Sequence, residues 1–303
     1  MKKIAAWVSA ARLRTLPLSV SGILTGSATA LLTNDFSTNI FFLALATTLG
    51  LQILSNFAND YGDGVKGTDN DERLGPMRAL QSGVITDKEM KLGIIITSAI
   101  TLILAVGLIY VSFGKNDFLY SLLFFALGIA SILAAIKYTV GNSAYGYRGL
   151  GDVFVFVFFG LVSVIGVNFL MTKNLDFWLI LPAISIGFLS SAVLNLNNMR
   201  DENSDRNSQK NTLVVKFGKS FAKTYHFSLI ISAFLALLIF QIHHFGVEYW
   251  LAFLPCIGFI LLFIHLKKVY NYKNPKKLDP ELKKVALSTF LISLLLFLVY
   301  YFY

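Results

Sequence analysis

Cysteine and histidine are scarce in this sequence. Among 303 residues there is one cysteine, Cys256, which lies within an apolar segment, and there are four histidines. A single cysteine excludes an intrachain disulfide framework and a cysteine-based metal site. The histidines are scattered, no Ser/His/Asp or Cys/His nucleophilic arrangement is visible, and we interpret all four as interfacial or packed side chains: His226, His243, His244 and His265.

Charged residues are also few. They make up 14% of the chain, against 55% hydrophobic residues and a mean hydropathy of +0.66. This composition excludes an ordinary soluble domain. We count nine uncharged segments of about 20 residues, enough to cross a bilayer as helices. The sequence therefore predicts an all-α integral membrane protein with nine transmembrane helices, which begin near Leu16, Asn39, Leu92, Phe118, Val153, Phe177, Thr224, Tyr249 and Val285.

Acidic residues number only 17 against 26 basic ones, for a net charge of +9. Nucleic-acid binding is one reading of this excess, so the distribution of the charges has to decide. With nine spans, 24 of the 26 basic residues fall on one side, and Lys115 and Lys173 lie opposite. By the positive-inside rule this predicts a membrane protein with a cytoplasmic N-terminus, an external C-terminus and contact with lipid rather than nucleic acid.

Eight acids of the predicted cytoplasmic side gather in two stretches, each at the end of an uncharged run. The first holds Asn59, Asp63 and Asp69, and the second reads NLNNMRDENSDRNSQKNT from Asn195. If the helix continues into the second stretch, Asn197, Asp201 and Asp205 lie on one face, because residues four apart are neighbours on a helix.

Carboxylate and amide oxygens are the ligands that Mg²⁺ seeks, and it often completes its shell with phosphate oxygens. Solvated loop charge is the alternative reading of these acids. Cationic side chains share the same loops: Arg78, Arg148, Arg200 and Lys210. Magnesium together with Arg or Lys is typical of a site for a phosphate or diphosphate. Residues 145–152, YGYRGLGD, are either a flexible turn or a close backbone approach to such an anion.

Spacing also suggests an internal duplication. The pair Asn59 and Asp63 repeats as Asn197 and Asp201, four spans later. We predict a single domain over residues 1–303, with pseudo-repeats at about 15–136 and 150–266 and a last helix at 285–303, around a central cavity that opens to the cytoplasm. Repeats of this kind commonly place a site at their interface.

The two Asp stretches and the nine spans resemble the UbiA superfamily of intramembrane prenyltransferases over nearly the whole chain. The broad family pattern is NxxxDxxxD, whereas Gly67 stands here where the last Asp is expected and Asp69 follows two residues later. This longer spacing is similar to the menaquinone branch of the superfamily, as are the segments LGPMRALQSGVIT from Leu74, AYGYRGLGD from Ala144 and NNMRDENSDRNSQKNTL from Asn197.

The resemblance implies transfer of a polyprenyl chain from polyprenyl diphosphate to 1,4-dihydroxy-2-naphthoate, with loss of CO2 and diphosphate, giving demethylmenaquinone. It implies Mg²⁺, with two ions, held with the diphosphate by Asn59, Asp63, Asp69, Asn198, Asp201 and Asp205. Arg148 and Lys210 would neutralise the diphosphate, and Arg78 and Gln81 would help to hold the acceptor. The helical face favours Asn197, whereas the family motif favours Asn198.

Two alternatives stay open at this point. One is a prenyltransferase for another aromatic acceptor, such as 4-hydroxybenzoate. The other is a transporter of divalent cations or of a lipid-linked phosphate, which would need polar groups at mid-membrane depth in several spans. Here Gln52 and Asn168 are among the few such groups.

Overall fold

The computed structural model describes residues 3–68, 74 and 77–303, and every regular element in these ranges is helical. Eleven α-helices are present: α1 Lys3–Ala11, α2 Leu16–Leu31, α3 Thr38–Val65, α4 Asp87–Phe113, α5 Phe118–Lys137, α6 Gly151–Val155, α7 Gly166–Thr172, α8 Ile180–Asn207, α9 Leu213–Phe245, α10 Gly258–Asn271 and α11 Asp279–Tyr301. A π-helix, Phe156–Ile165, joins α6 to α7. Short 3₁₀ helices occupy Leu13–Thr15, Tyr145–Arg148, Phe177–Leu179, Trp250–Ile257 and Pro275–Leu278.

Eight helical segments of the described chain are long and apolar enough to cross a membrane. They are Thr38–Val65, Asp87–Phe113, Phe118–Lys137, Gly151–Thr172, Phe177–Asn207, Leu213–Phe245, Trp250–Asn271 and Pro275–Tyr301. The remaining predicted span is α2, which has 16 residues. The all-α membrane architecture is thus confirmed, whereas the count of nine spans is not.

The connection between the sixth and seventh predicted spans, expected as a loop over residues 200–223, is largely helical. The helix of the sixth predicted span continues through the acidic stretch to Asn207, and α9 begins at Leu213, eleven residues before the predicted Thr224. Thr212 starts α9 because its hydroxyl accepts a hydrogen bond from the Val215 amide, as in an N-cap. Gly218, at φ 79°, kinks α9 near its start. The basic residues on both sides of this kink belong to the helix, so the charged residues did not mark where the helix begins.

Close packing around α2 depends on small residues. A Cβ atom on Gly22 would lie 2.0 Å from the Ser163 hydroxyl, and one on Gly26 would lie 2.2 Å from the Val164 carbonyl oxygen. Glycines at such contacts let membrane helices approach closely. Hydrogen bonds across helices add to this contact, since Thr25 bonds to Ser293 of α11 and Asn168 donates to Thr29.

The outer surface of α4 and α5 is apolar. Large side chains such as Ile95, Ile103, Leu119 and Leu123 are exposed along it. An exposed apolar face of this extent suits contact with lipid rather than with water. The small and polar contacts therefore lie inside the bundle, and the large apolar side chains face outward.

Candidate functional site

An apolar cavity of about 330 Å³ lies between the first and second halves of the chain. Its walls come from α3, α4, α5 and the segment Gly151–Thr172, and include Leu108, Phe124, Phe159 and Leu170. At one end α3 contributes polar groups from Gln52, Ser55 and Asn59. Asn59 also accepts a hydrogen bond from Thr139. The cavity therefore ends against the first Asp stretch.

A buried ionic cluster begins one helical turn beyond Asn59. The Asp63 carboxylate accepts a hydrogen bond of 2.8 Å from the Tyr147 hydroxyl, and its other oxygen lies 3.5 Å from Lys210 Nζ. The same ammonium lies 3.9 Å from an oxygen of Asp205. Lys210 thus joins the first Asp stretch, at the end of α3, to the second, at the end of α8.

Charge within this cluster is strongly stabilised. Burial disfavours the ammonium of Lys210, but the Asp63 and Asp205 carboxylates outweigh it and raise the pKa of Lys210 above its usual value. Burial also raises the pKa of Tyr138, which lines the cavity, to about 12. Lys210 lowers this pKa, whereas the nearby carboxylates raise it. Lys210 therefore stays positive and Tyr138 neutral at physiological pH.

Tyr147 is enclosed by cations and polar groups. Its ring has Lys66 Nζ 3.9 Å and Lys210 Nζ 5.3 Å from the centroid, and its hydroxyl is 2.5 Å from the Thr68 hydroxyl. Burial, followed by the Asp63 carboxylate, raises the pKa of Tyr147. The phenol is consequently a fixed donor to Asp63. Sequence reasoning singled out the loop but selected Arg148 rather than Tyr147 from it.

Asp201 is held by its neighbour in the chain. Arg200 donates from Nε to one Asp201 oxygen at 2.9 Å and from Nη2 to the other at 2.7 Å. Nη2 also donates to the Asn197 side-chain oxygen at 2.8 Å, while Asn198 is buried. The two asparagines therefore have different surroundings, and Asn197 belongs with Arg200.

Two arginines contact Asp60. Arg12 bonds to the Asp60 carboxylate, Arg78 Nη1 lies 3.3 Å from the same oxygen, and the Ala79 amide donates to the other oxygen. A cavity of about 310 Å³ adjoins these residues and Arg14. This end of the molecule is consequently rich in arginine. Arg12 and Arg14 are not among the residues selected from the sequence, because N-terminal basic residues are also what the positive-inside rule predicts. Asp60 belongs to the first acidic stretch but was not selected, because its spacing does not match the Asn59 and Asp63 pattern.

The sequence model of the UbiA prenyltransferase family matches residues 19–290. The chain belongs to the UbiA prenyltransferase family. It is 42% identical to the 1,4-dihydroxy-2-naphthoate octaprenyltransferase of Haemophilus influenzae, over 97% of this chain and 95% of that protein. It is 43% identical to the enzyme of the same name from Escherichia coli, over 96% and 93%.

Solved structures share the UbiA fold at low sequence identity. A UbiA homologue from Archaeoglobus fulgidus bound to DMAPP and Mg²⁺ superposes with a TM-score of 0.64 at 16% identity, covering 95% of this chain and 98% of that one. A digeranylgeranylglyceryl phosphate synthase gives a TM-score of 0.59 at 18% identity, with full coverage of both chains. These likenesses concern the fold.

The fold brings together four of the residues selected from the sequence in this UbiA-family chain. Asp63 and Asp205 both lie near the Lys210 ammonium, and Asn59 lies one turn before Asp63 on α3. Asp69 lies outside the described residues. Among those that are described, no three His, Cys, Asp or Glu side chains converge closely enough to hold a metal ion by themselves.

Arg148 and Gln81 occupy different surroundings from this cluster. The Arg148 side chain is exposed, and its backbone carbonyl accepts a hydrogen bond from Lys216. Gln81 is also exposed, and its side-chain oxygen accepts from the Arg78 amide at 3.4 Å. Gln81 thus shapes the turn that carries Arg78.

Proposed function

We propose that this protein transfers a polyprenyl chain from polyprenyl diphosphate to 1,4-dihydroxy-2-naphthoate, releasing CO2 and diphosphate. The observation that carries the proposal is the buried cluster of Asp63, Asp205 and Lys210 at the polar end of an apolar cavity. An apolar cavity suits the prenyl chain, and a charged end suits its diphosphate. The names of the relatives that align over nearly the whole chain support the same acceptor.

The donor groups of the site fit magnesium. The oxygens of Asn59, Asp63, Asp201 and Asp205 are hard ligands, and neither cysteine nor histidine is among them. Magnesium in proteins is commonly bound through one or two carboxylates and completed by substrate phosphates. We therefore assign these residues, together with Asp69 and Asn198, to two Mg²⁺ ions shared with the diphosphate. When bound, the ions would neutralise the charge that develops on the leaving diphosphate.

The residues of the chain contribute to the reaction in two ways. Lys210 places a fixed positive charge at the diphosphate, so that the allylic C–O bond can break with the electron pair leaving on oxygen. The cavity wall, with Phe154, Phe158 and Phe159, keeps water from the resulting carbocation.

The acceptor then attacks the carbocation through the ring carbon that bears its carboxylate. A carbon–carbon bond forms, the bond to the carboxylate breaks as CO2 leaves, and its electron pair restores the aromatic ring. The product is the reduced form of demethylmenaquinone. We assign Arg78 to the acceptor side, because its guanidinium is held beside Asp60 at the arginine-lined cavity, and Gln81 supports its turn.

We also propose nine spans in a bacterial inner membrane, with the N-terminus in the cytoplasm and the C-terminus outside. Sixteen residues of α2 extend about 24 Å, and its centre is buried among other helices. The basic residues favour a cytoplasmic mouth for the cavity. Two pseudo-repeats are supported by α3 and α8, which both have 28 residues and both carry Asn and Asp side chains in their C-terminal turns.

A product assay with carboxyl-labelled acceptors tests the function. Purified protein in lipid nanodiscs would receive octaprenyl diphosphate, Mg²⁺ and either 1,4-dihydroxy-2-naphthoate or 4-hydroxybenzoate. We expect a prenylated product and labelled CO2 in equal amounts with the naphthoate only, and neither after chelation of Mg²⁺ with EDTA. A prenylated 4-hydroxybenzoate that retains its label would instead assign the protein to the other acceptor.

A further inference from the structure

Arg200 has a bonding pattern that the reaction described above does not use. It is almost fully buried, with 3% of its surface exposed. Its Nε and Nη2 atoms hold both oxygens of Asp201, and its Nη1 donates to Asp279 at 2.6 Å. All three nitrogens of the guanidinium are thus engaged with oxygen acceptors.

Helix geometry alone does not explain this pair. Neighbouring positions on an α-helix point about 100° apart, because there are 3.6 residues per turn, so adjacent side chains do not normally face each other. A two-point contact between Arg200 and Asp201 therefore needs other groups to hold the guanidinium, and Asn197, on the preceding turn of α8, accepts from Nη2 at 2.8 Å. Asp279 meets this need from another helix.

Asp279 is the first residue of α11, 78 positions after Asp201 in the chain. An acid at this position is favoured by the helix dipole. Its second oxygen lies 4.0 Å from Arg14 Nη1, so one carboxylate connects the N-terminal segment, α8 and α11. The position of Arg200 therefore depends on the start of the last helix as well as on Asn197.

The two hydrogen bonds from Arg200 constrain Asp201, but they do not prevent its oxygens from binding a metal ion. A carboxylate has about four acceptor sites, and Arg200 occupies one on each oxygen. Groups that hydrogen-bond to a metal-binding carboxylate orient it, and their loss typically weakens metal binding about 10- to 100-fold. A buried arginine that makes two hydrogen bonds to Asp201, and is itself bonded to the Asp279 carboxylate, can orient Asp201 in this way.

We propose that Arg200 and Asp279 are positioning residues that orient Asp201 for Mg²⁺ binding. Asp279 fixes the guanidinium, and the guanidinium fixes the plane of the carboxylate. The inference rests on the proposed magnesium-dependent function. It adds a contact that links the last helix to the second Asp stretch.

Manganese titration of the detergent-solubilised protein tests the roles of Arg200 and Asp279 without turnover. Free Mn²⁺ would be followed by electron paramagnetic resonance in the presence of inorganic diphosphate, and the half-saturating Mg²⁺ concentration would be measured separately by activity. We expect Arg200→Lys and Asp279→Ala each to weaken Mn²⁺ binding about 10- to 100-fold. Asp279→Asn keeps an oxygen acceptor for Nη1 and should restore most of the affinity.

Two control variants lie on the following turn of α8. Arg206→Lys and Glu202→Ala change the same types of residue in an ion pair of 3.1 Å whose arginine is largely exposed. Both should bind Mn²⁺ as the unmodified protein does. If Arg200→Lys and Asp279→Ala act through one contact, the double variant should be no weaker than Arg200→Lys alone.

Each outcome decides between separate claims. Unchanged Mn²⁺ affinity in Asp279→Ala, even with a lowered melting temperature, would reduce the contact to a structural one and overturn the inference. An equal loss in Glu202→Ala would attribute the effect to general charge and also overturn it. Absence of Mn²⁺ binding in the unmodified protein would instead contradict the proposed metal site itself. Should Arg200→Lys fail to fold, the comparison of Asp279→Ala with Asp279→Asn still decides.

Discussion

The Tyr147 hydroxyl donates a hydrogen bond of 2.8 Å to the Asp63 carboxylate. The two residues are 84 positions apart, and their contact joins the glycine-containing loop after α5 to the first Asp stretch. The phenol fixes one oxygen of Asp63 while Lys210 lies near the other. Residues of three separate segments thereby define the orientation of one carboxylate.

Removal of the Tyr147 hydroxyl should impair turnover. A hydrogen bond to an ionised partner contributes about 1.5–3 kcal/mol, so Tyr147→Phe should lower kcat roughly ten- to hundredfold. Tyr110→Phe, on the exposed surface of α4, is the control and should be neutral. Steady-state kinetics with saturating substrates is the measurement, and full activity in Tyr147→Phe would show that the contact is dispensable.

Loss of the carboxylate of Asp63 or of Asp201, one from each Asp stretch, should abolish most of the activity. Asp63→Asn and Asp201→Asn keep the shape of the side chain but remove its negative charge, so we expect kcat to fall by orders of magnitude while the protein still inserts. Asp117→Asn, in the exposed turn before α5, is the matched control. Near-normal turnover of either site variant at limiting Mg²⁺ contradicts the assignment of that residue as a ligand.

Arginine and lysine should differ more at position 78 than at position 148. Lysine keeps the charge but loses the planar fork. Arg148 is exposed, whereas Arg78 is largely buried beside Asp60. We expect Arg148→Lys to retain substantial activity and Arg78→Lys to lose more, with a raised KM for the dihydroxynaphthoate. A change confined to the KM of the prenyl diphosphate would reverse our assignment of Arg78.

Membrane orientation can be read from cysteine labelling. After Cys256→Ser, a cysteine introduced by Asn116→Cys should react with an impermeant maleimide added to intact spheroplasts. One introduced by Asn274→Cys should react only after the membrane is opened, since both positions are exposed but lie on opposite sides in the proposed topology. The reverse pattern of labelling would place the Asp stretches outside the cell.

Packing of α2 should be sensitive to a single methyl group. Gly26→Ala would place a Cβ 2.2 Å from the Val164 carbonyl oxygen, and such overpacking typically costs about 1–3 kcal/mol. Gly107→Ala, in α4, meets nothing within 4 Å and should be neutral or stabilise its helix by up to about 1 kcal/mol. Melting temperatures in detergent compare the two, and equal values would argue against a tight α2 contact.

Much of this molecule could be predicted from local sequence. Uncharged runs of about 20 residues must form helices in lipid, because backbone groups there have no water to bond with. The spacing of Asp201 and Asp205 placed them on one face if the sixth span continued as a helix, and α8 does extend to Asn207. Asn59, Asp63 and Lys210 were selected for their residue types, and they lie at or beside one cluster.

The remainder depended on contacts between distant segments. Nothing in the types or spacing of residues distinguishes Arg148, which is exposed, from Arg78, which is buried beside Asp60. Tyr147 and Asp279 were overlooked because a tyrosine in a glycine loop and an aspartate at a helix start are both common for local reasons. Their roles follow from helix packing, which sets a phenol against Asp63 and a carboxylate against Arg200. Hydrophobicity thus determines that each segment forms a membrane helix, whereas the rotation and depth at which the helices pack determine which polar side chains meet.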